Sequence, residues 1–189
     1  MIIAELTLPS EPDVAWRHLR EPELIRRWFG WDYEGLGHEI DVIFMQEVSV
    51  DDRARVLDFG DGIEPGDRFE LTDLGVETGL RVVRGAPEPD YDDISEGWIT
   101  FAEQLRFALA HPDAGDRRTL HLSGGSPGAA ARAEELGGEP WYRTEHQAGV
   151  LVDGGLLAVW EKPPASTASM TFTRFGAPPD EGRWRDWWR

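Results

Sequence analysis

The hydrophobic rhythm of this chain switches from a two-residue period to about 3.6, back to two, and then to 3.6 again, which limits it to folds mixing an antiparallel sheet with a few helices. Ile2–Leu8 alternates, with Ala4, Leu6 and Leu8 on one face, and Pro9 halts it. Ser10 stands where a helix N-cap belongs, Pro12 falls in the first turn, and Val14, Trp16 and Leu19 follow at helical spacing up to Pro22. Leu24, Ile25, Trp28 and Phe29 predict a second short helix that ends at Gly30. From Glu39 the period is two again. Ile40, Val42 and Phe44 alternate with Asp41, Ile43 and Met45, and further strands are expected over Arg53–Phe59, Asp67–Thr72 and Thr78–Arg84, separated by Asp-Gly, Pro-Gly and Leu-Gly turn signals. Asp90-Tyr91-Asp92-Asp93 then opens the longest helix, a solvated acidic start suited to the helix dipole. Ile94, Trp98, Phe101, Leu105 and Leu109 carry it to His111-Pro112.

The fold class expected is therefore α+β. Strand, two short helices, several antiparallel strands and one long helix resemble in their order the START/SRPBCC (helix-grip) superfamily. The run Glu23-Leu24-Ile25-Arg26-Arg27-Trp28-Phe29-Gly30, with Glu96-Gly97-Trp98 and Gln104-Leu105, is similar to the Aha-type heat-shock ATPase activator homologues. The resemblance covers residues 1–112 and rests on packing motifs. It implies a sheet wrapped on the long C-terminal helix with a ligand cavity between them, and a chaperone or other protein as a conceivable partner.

A shorter, partial second copy is expected over 113–189. Leu6-Thr7-Leu8-Pro9-Ser10-Glu11-Pro12-Asp13 is echoed by Leu120-His121-Leu122-Ser123-Gly124-Gly125-Ser126-Pro127. Gly79–Pro87 is echoed by Ser169–Pro178, each followed by an acidic turn and a Trp-bearing helix start. A helix is expected over Gly128–Leu136, and strands over Gly149–Val152 and Leu156–Glu161 around the hairpin signal Asp153-Gly154-Gly155. With barely one or two turns of closing helix, this copy is expected to lack a core of its own and to pack on the first through Trp184, Trp187 and Trp188.

Charge and composition narrow the function. Asp and Glu number 36 against 19 Lys and Arg, a formal charge of −17 that repels nucleic acid and anionic membrane. Without cysteine there is no disulfide, thiolate metal site or cysteine nucleophile. His18, His38, His111, His121 and His146 lack the i,i+4 spacing of a helical metal site, so neither metal nor cofactor is expected. Gly124-Gly125-Ser126-Pro127-Gly128 lacks the Lys-Ser/Thr of a phosphate loop, and no G-x-S-x-G occurs. No run approaches the roughly 20 apolar residues of a membrane span, and the N-terminus lacks a basic leader; the sequence reads as cytoplasmic, a monomer or homodimer.

The site expected is a cavity for an apolar or aromatic small molecule, walled by Phe44, Phe69, Leu71, Thr78, Leu80, Trp98, Phe101 and Leu105, with Trp28 and Trp31 at its entrance. An enzyme like the polyketide cyclases of the same superfamily would need polar groups such as Tyr33, Glu39, Thr78 or Arg81 aimed inward. Strand alternation opposes Arg81 to Leu80 and Val82, and Glu39 to Ile40 and Val42, which leaves no catalytic set.

Overall fold

The computed structural model describes residues 1–60, 66–87 and 90–189; the turn signals at Asp61-Gly62 and Pro65 lie outside them. The chain is α+β and divides into two compact units, Met1–Asp113 and Ala114–Arg189, each holding one five-stranded antiparallel sheet.

In the first unit β1 (Ile2–Leu8) leads through α1 (Pro12–Arg20), α2 (Pro22–Ile25) and α3 (Leu36–Asp41) into the strands β2 (Ser49–Asp51), β3 (Val56–Asp58), β4 (Arg68–Asp73) and β5 (Thr78–Val83). The unit closes with α4 (Asp93–Leu109), which packs on β1 and β5. The sheet order is β1-β5-β4-β3-β2: the first strand lies beside the last, and the others descend from it. Register follows the apolar pattern. Leu6, Leu80 and Leu71 form one cross-strand row, and Ala4, Val82, Phe69 and Leu57 form the next. Leu80, Phe69 and Leu57 are at most 1 % exposed, so each contributes about 1.5–3 kcal/mol of transfer free energy. On the opposite face Arg81 pairs with Glu5 at 2.9 Å across the β1–β5 ladder.

Two local expectations are corrected. The alternation over 39–45 belongs to no strand. Residues 36–41 are α-helical and Val42–Gln46 continue as a wider π-helical turn, so Phe44 enters the core from a helix and not from the sheet. Ile40 and Phe44 are four residues apart and both buried, a spacing that serves a helical face as well as a strand face. The N-cap of α1 is Glu11; Ser10 instead accepts a hydrogen bond at its carbonyl from the Thr78 hydroxyl, at 2.8 Å.

The acidic start of α4 is not wholly solvated. Asp92 is the N-cap, accepting from the Ile94 N–H at 3.1 Å, and its other oxygen takes Ser95 Oγ at 2.5 Å and Arg84 NH2 at 2.9 Å. Arg84 also pairs with Asp67, and all three side chains are less than 10 % exposed. This buried triad ties the helix start to the end of β5.

The second unit runs β6 (Arg117–Gly125), α5 (Ala129–Glu134), β7 (Glu139–Arg143), β8 (Gln147–Val152), β9 (Gly155–Lys162), β10 (Thr167–Phe175) and α6 (Glu181–Trp188). Its sheet order, β6-β10-β9-β8-β7, again sets the first strand beside the last. Asp153 and Gly154 both have positive φ, the two-residue turn whose twist matches a tight hairpin. Contrary to the expectation of a copy without a core, Leu120, Ala133, Val150, Leu157, Met170, Phe172, Trp184 and Trp188 pack together inside this unit. The physical reason is aromatic bulk. The α6 indole of Trp184 lies 4.5 Å from the Phe172 ring, and Trp188 sits where Gly125 has no side chain, so a helix of two turns covers a large area.

Candidate functional site

The half-open cavity of the first unit arises where a tight turn meets α4. The short helix expected to run to Gly30 stops at Ile25 with its C-cap at Arg26, and the turns after it lead to Gly30 at φ +60°, a left-handed conformation in which a Cβ would lie 3.0 Å from Leu36 Cδ1. Its carbonyl accepts the Gln104 amide at 3.3 Å, which anchors the turn to the buried face of α4. The chain then presents Trp31 and, two residues on, Tyr33, whose ring covers Gly35 so closely that a Cβ there would meet it at 2.5 Å. Helix α3 supplies Glu39, and Tyr33 donates its hydroxyl to Glu39 Oε2 at 2.5 Å. From α4 comes Phe101, its ring 6.5 Å from Trp31 and 4.9 Å from Phe29. Gly30, Trp31, Tyr33, Glu39 and Phe101 enclose about 270 Å³.

The lining is aromatic with one acidic group. Tyr33 is partly removed from water and hydrogen-bonded to a carboxylate, which together push its phenol up to about 12. It therefore stays protonated and donating at any physiological pH. Glu39 Oε1 makes no hydrogen bond among the described residues and remains available to a ligand.

Of the residues expected at a binding site, Trp31 and Phe101 line this cavity. Trp28, Phe44, Phe69 and Trp98 lie deeper, in a cluster with Phe29 and Phe59 whose ring centroids are 5.0–6.4 Å apart, most pairs edge-to-face and Phe59 stacked on Trp98. Trp28 is fully buried and donates its indole N–H to the His18 carbonyl at 2.8 Å. The buried N–H of Trp98, by contrast, meets no acceptor among the described residues. Leu71, Leu80 and Leu105 are at most 7 % exposed, and Thr78 is committed to Ser10.

Strand alternation sets Glu39 opposite the apolar positions, and the structure corrects that reading. A helix over 36–41 turns Glu39 toward Tyr33, where a strand would have faced it away from the apolar positions. The available signal was the Gly35-Leu36-Gly37 start, which a buried strand seldom carries. Among the described residues no cluster of three His, Asp or Glu could hold a metal ion, and no helix is long and apolar enough to cross a membrane.

A second cavity, of about 410 Å³, lies in the second unit between the start of α5 and the β9–β10 connection, with Arg143, Glu161 and Lys162 on its wall. Its charges are already engaged: Glu161 takes the Ala130 N–H at 2.9 Å and Arg143 pairs with Glu134 at 3.2 Å.

No protein-family model matches the sequence, and no curated protein does. Two solved structures are similar over most of the chain. One is DynU16, a protein in the dynemicin biosynthetic locus, at 16% identity and TM-score 0.41, covering 97% of this chain and 91% of that one. The other is the di-domain ARO/CYC BexL from the BE-7585A biosynthetic pathway, at 12% identity and TM-score 0.37, covering 91% of this chain and 83% of its own. Likeness at these values assigns neither substrate nor reaction. Fold and site together define a two-unit α+β protein with an aromatic, carboxylate-bearing cavity in its first unit.

Proposed function

We propose that residues 1–112 form a helix-grip module holding a small apolar or aromatic molecule, and that residues 113–189 are a shortened second copy of the same plan. The half-open cavity walled by Trp31, Tyr33 and Phe101 carries the functional reading. Aromatic walls with a few placed polar groups are what small-molecule sites use. The shared sheet order, first strand against last in both units, supports the duplication. Native mass spectrometry of protein as purified tests the binding role. A retained small molecule, lost in Phe101→Ala while the variant stays folded, is the expected result; a bare chain whose binding of aromatic probes is insensitive to Phe101→Ala and Trp31→Ala refutes it.

A second reading, an enzyme resembling a polyketide cyclase, is favoured by the Tyr33–Glu39 pair on the same wall. A phenol donor beside a carboxylate is suited to proton transfer at an enolisable carbon. Turnover of a poly-β-ketone probe that falls in both Tyr33→Phe and Glu39→Gln supports it. Turnover in both variants equal to that of the unsubstituted protein, or no turnover in any of the three, ends it.

A further inference from the structure

We propose that the ligand of the first-unit cavity is a small organic cation, an ammonium group on an apolar body, seated between the faces of Trp31, Tyr33 and Phe101 with Glu39 as its counter-charge. The inference rests on the binding reading above and adds the charge of what is bound.

Three aromatic rings border the cavity, and the electron-rich faces of such rings attract a cation. Among its described lining residues Glu39 is the ionisable acid, and none carries a positive charge. Tyr33 adds no charge, because its proton is held, and its hydroxyl is spent on Glu39 Oε2, leaving the ring as its contribution. Glu39 Oε1 stays open. A neutral apolar guest would strip water from that carboxylate and offer nothing in return, and an anion would be repelled by it. A neutral donor group offsets part of that desolvation through a hydrogen bond, whereas a cation also neutralises the charge, to which the aromatic walls add their own attraction. A metal ion is disfavoured by the donor set, a single carboxylate among aromatic rings, where hard cations require several oxygens. The volume of about 270 Å³ lies at the lower edge of small-molecule pockets and suits a compact ammonium. The formal charge of −17 also raises the local concentration of cations around the chain.

Titration calorimetry of the full chain with choline and with its uncharged carbon isostere, 3,3-dimethylbutan-1-ol, tests the charge directly. Choline is expected to bind about ten-fold or more tightly than the alcohol, with the preference collapsing in Glu39→Gln. That variant keeps an acceptor for Tyr33 and lies in a partly exposed position, so the fold is expected to survive; Trp31→Leu, which keeps apolar bulk, should weaken choline more than the alcohol. Equal binding of the two probes overturns the cation inference and leaves a neutral-ligand cavity standing. Binding of neither probe overturns it too, and the retained-ligand measurement on Phe101→Ala then decides the cavity separately.

Discussion

Replacing Arg84 with Met should destabilise the first unit by about 3–5 kcal/mol, because the change strands two buried carboxylates. Arg84 is 2 % exposed and pairs with Asp67, also 2 % exposed, and with Asp92, 9 % exposed. A Met of similar length fills the space but cannot supply the guanidinium that pairs with both carboxylates. Set against a typical domain stability of about 5–15 kcal/mol, the loss is a large fraction. Asp92→Ala is the informative contrast. It removes the N-cap and one arm of the triad but leaves Arg84 paired with Asp67, so a cost nearer 1–2 kcal/mol is expected. Hydrogen-exchange mass spectrometry in increasing urea, followed on peptides from β5 and α4, measures both variants in the first unit without confusion from the second. The Asp92 carboxyl is pushed up by burial, but hydrogen bonds from Ser95, Arg84 and the Ile94 N–H outweigh this and hold it below the ordinary carboxylate value. A folded-state value below the unfolded one means this stabilisation is complete above about pH 4 and is lost as pH falls through the folded value. Arg84→Met should therefore lose less, relative to the parent protein, in acid. A penalty below about 1 kcal/mol at neutral pH, or one equal to that of Asp92→Ala, would refute the account.

Other outcomes follow from single contacts. Gly125→Ala would place a Cβ 2.2 Å from Trp188 Cζ2; the indole must leave its seat, costing about 1–3 kcal/mol and red-shifting tryptophan emission, and an unchanged spectrum and melting point would contradict the packing. Burial, helped by the charge of Lys162, lowers His121 to about 4. The unfolded chain then binds the extra proton below about pH 6.5, so His121 contributes stability that erodes from there toward pH 4, and an NMR titration of its ring with a midpoint near 6.5 would be inconsistent with the site. Gly30→Ala combines a left-handed backbone with a 3.0 Å approach to Leu36 Cδ1. It should cost about 1–2 kcal/mol and displace Trp31, so ligand binding unaffected by the change would detach that turn from the cavity.

Much of the architecture can be read from periodicity alone. Apolar residues in β1, β4, β5 and α4 recur at spacings that only one element type satisfies, and Pro9, Pro22 and Pro112 mark where β1, α1 and α4 stop. The Asp153-Gly154 turn is equally local, since positive φ at both positions restricts the residue types that fit. Residues 39–46 escaped this logic, because buried positions four apart satisfy both periods, and helix or strand was decided by what the segment packs against. The strand Glu139–Arg143 was also missed, with Pro140 and few apolar residues to signal an edge strand.

For the site, sequence alone established the supply of aromatic side chains and a strong negative charge, both properties of composition that no fold can alter. Tertiary structure decided which rings became core and which became wall. Trp28 and Trp98 are consumed by neighbours contributed from four separate segments, whereas Trp31 and Phe101 meet at a rim beside Glu39. Such a division depends on distances between residues up to about 70 positions apart, and these exist only once the backbone has closed around them.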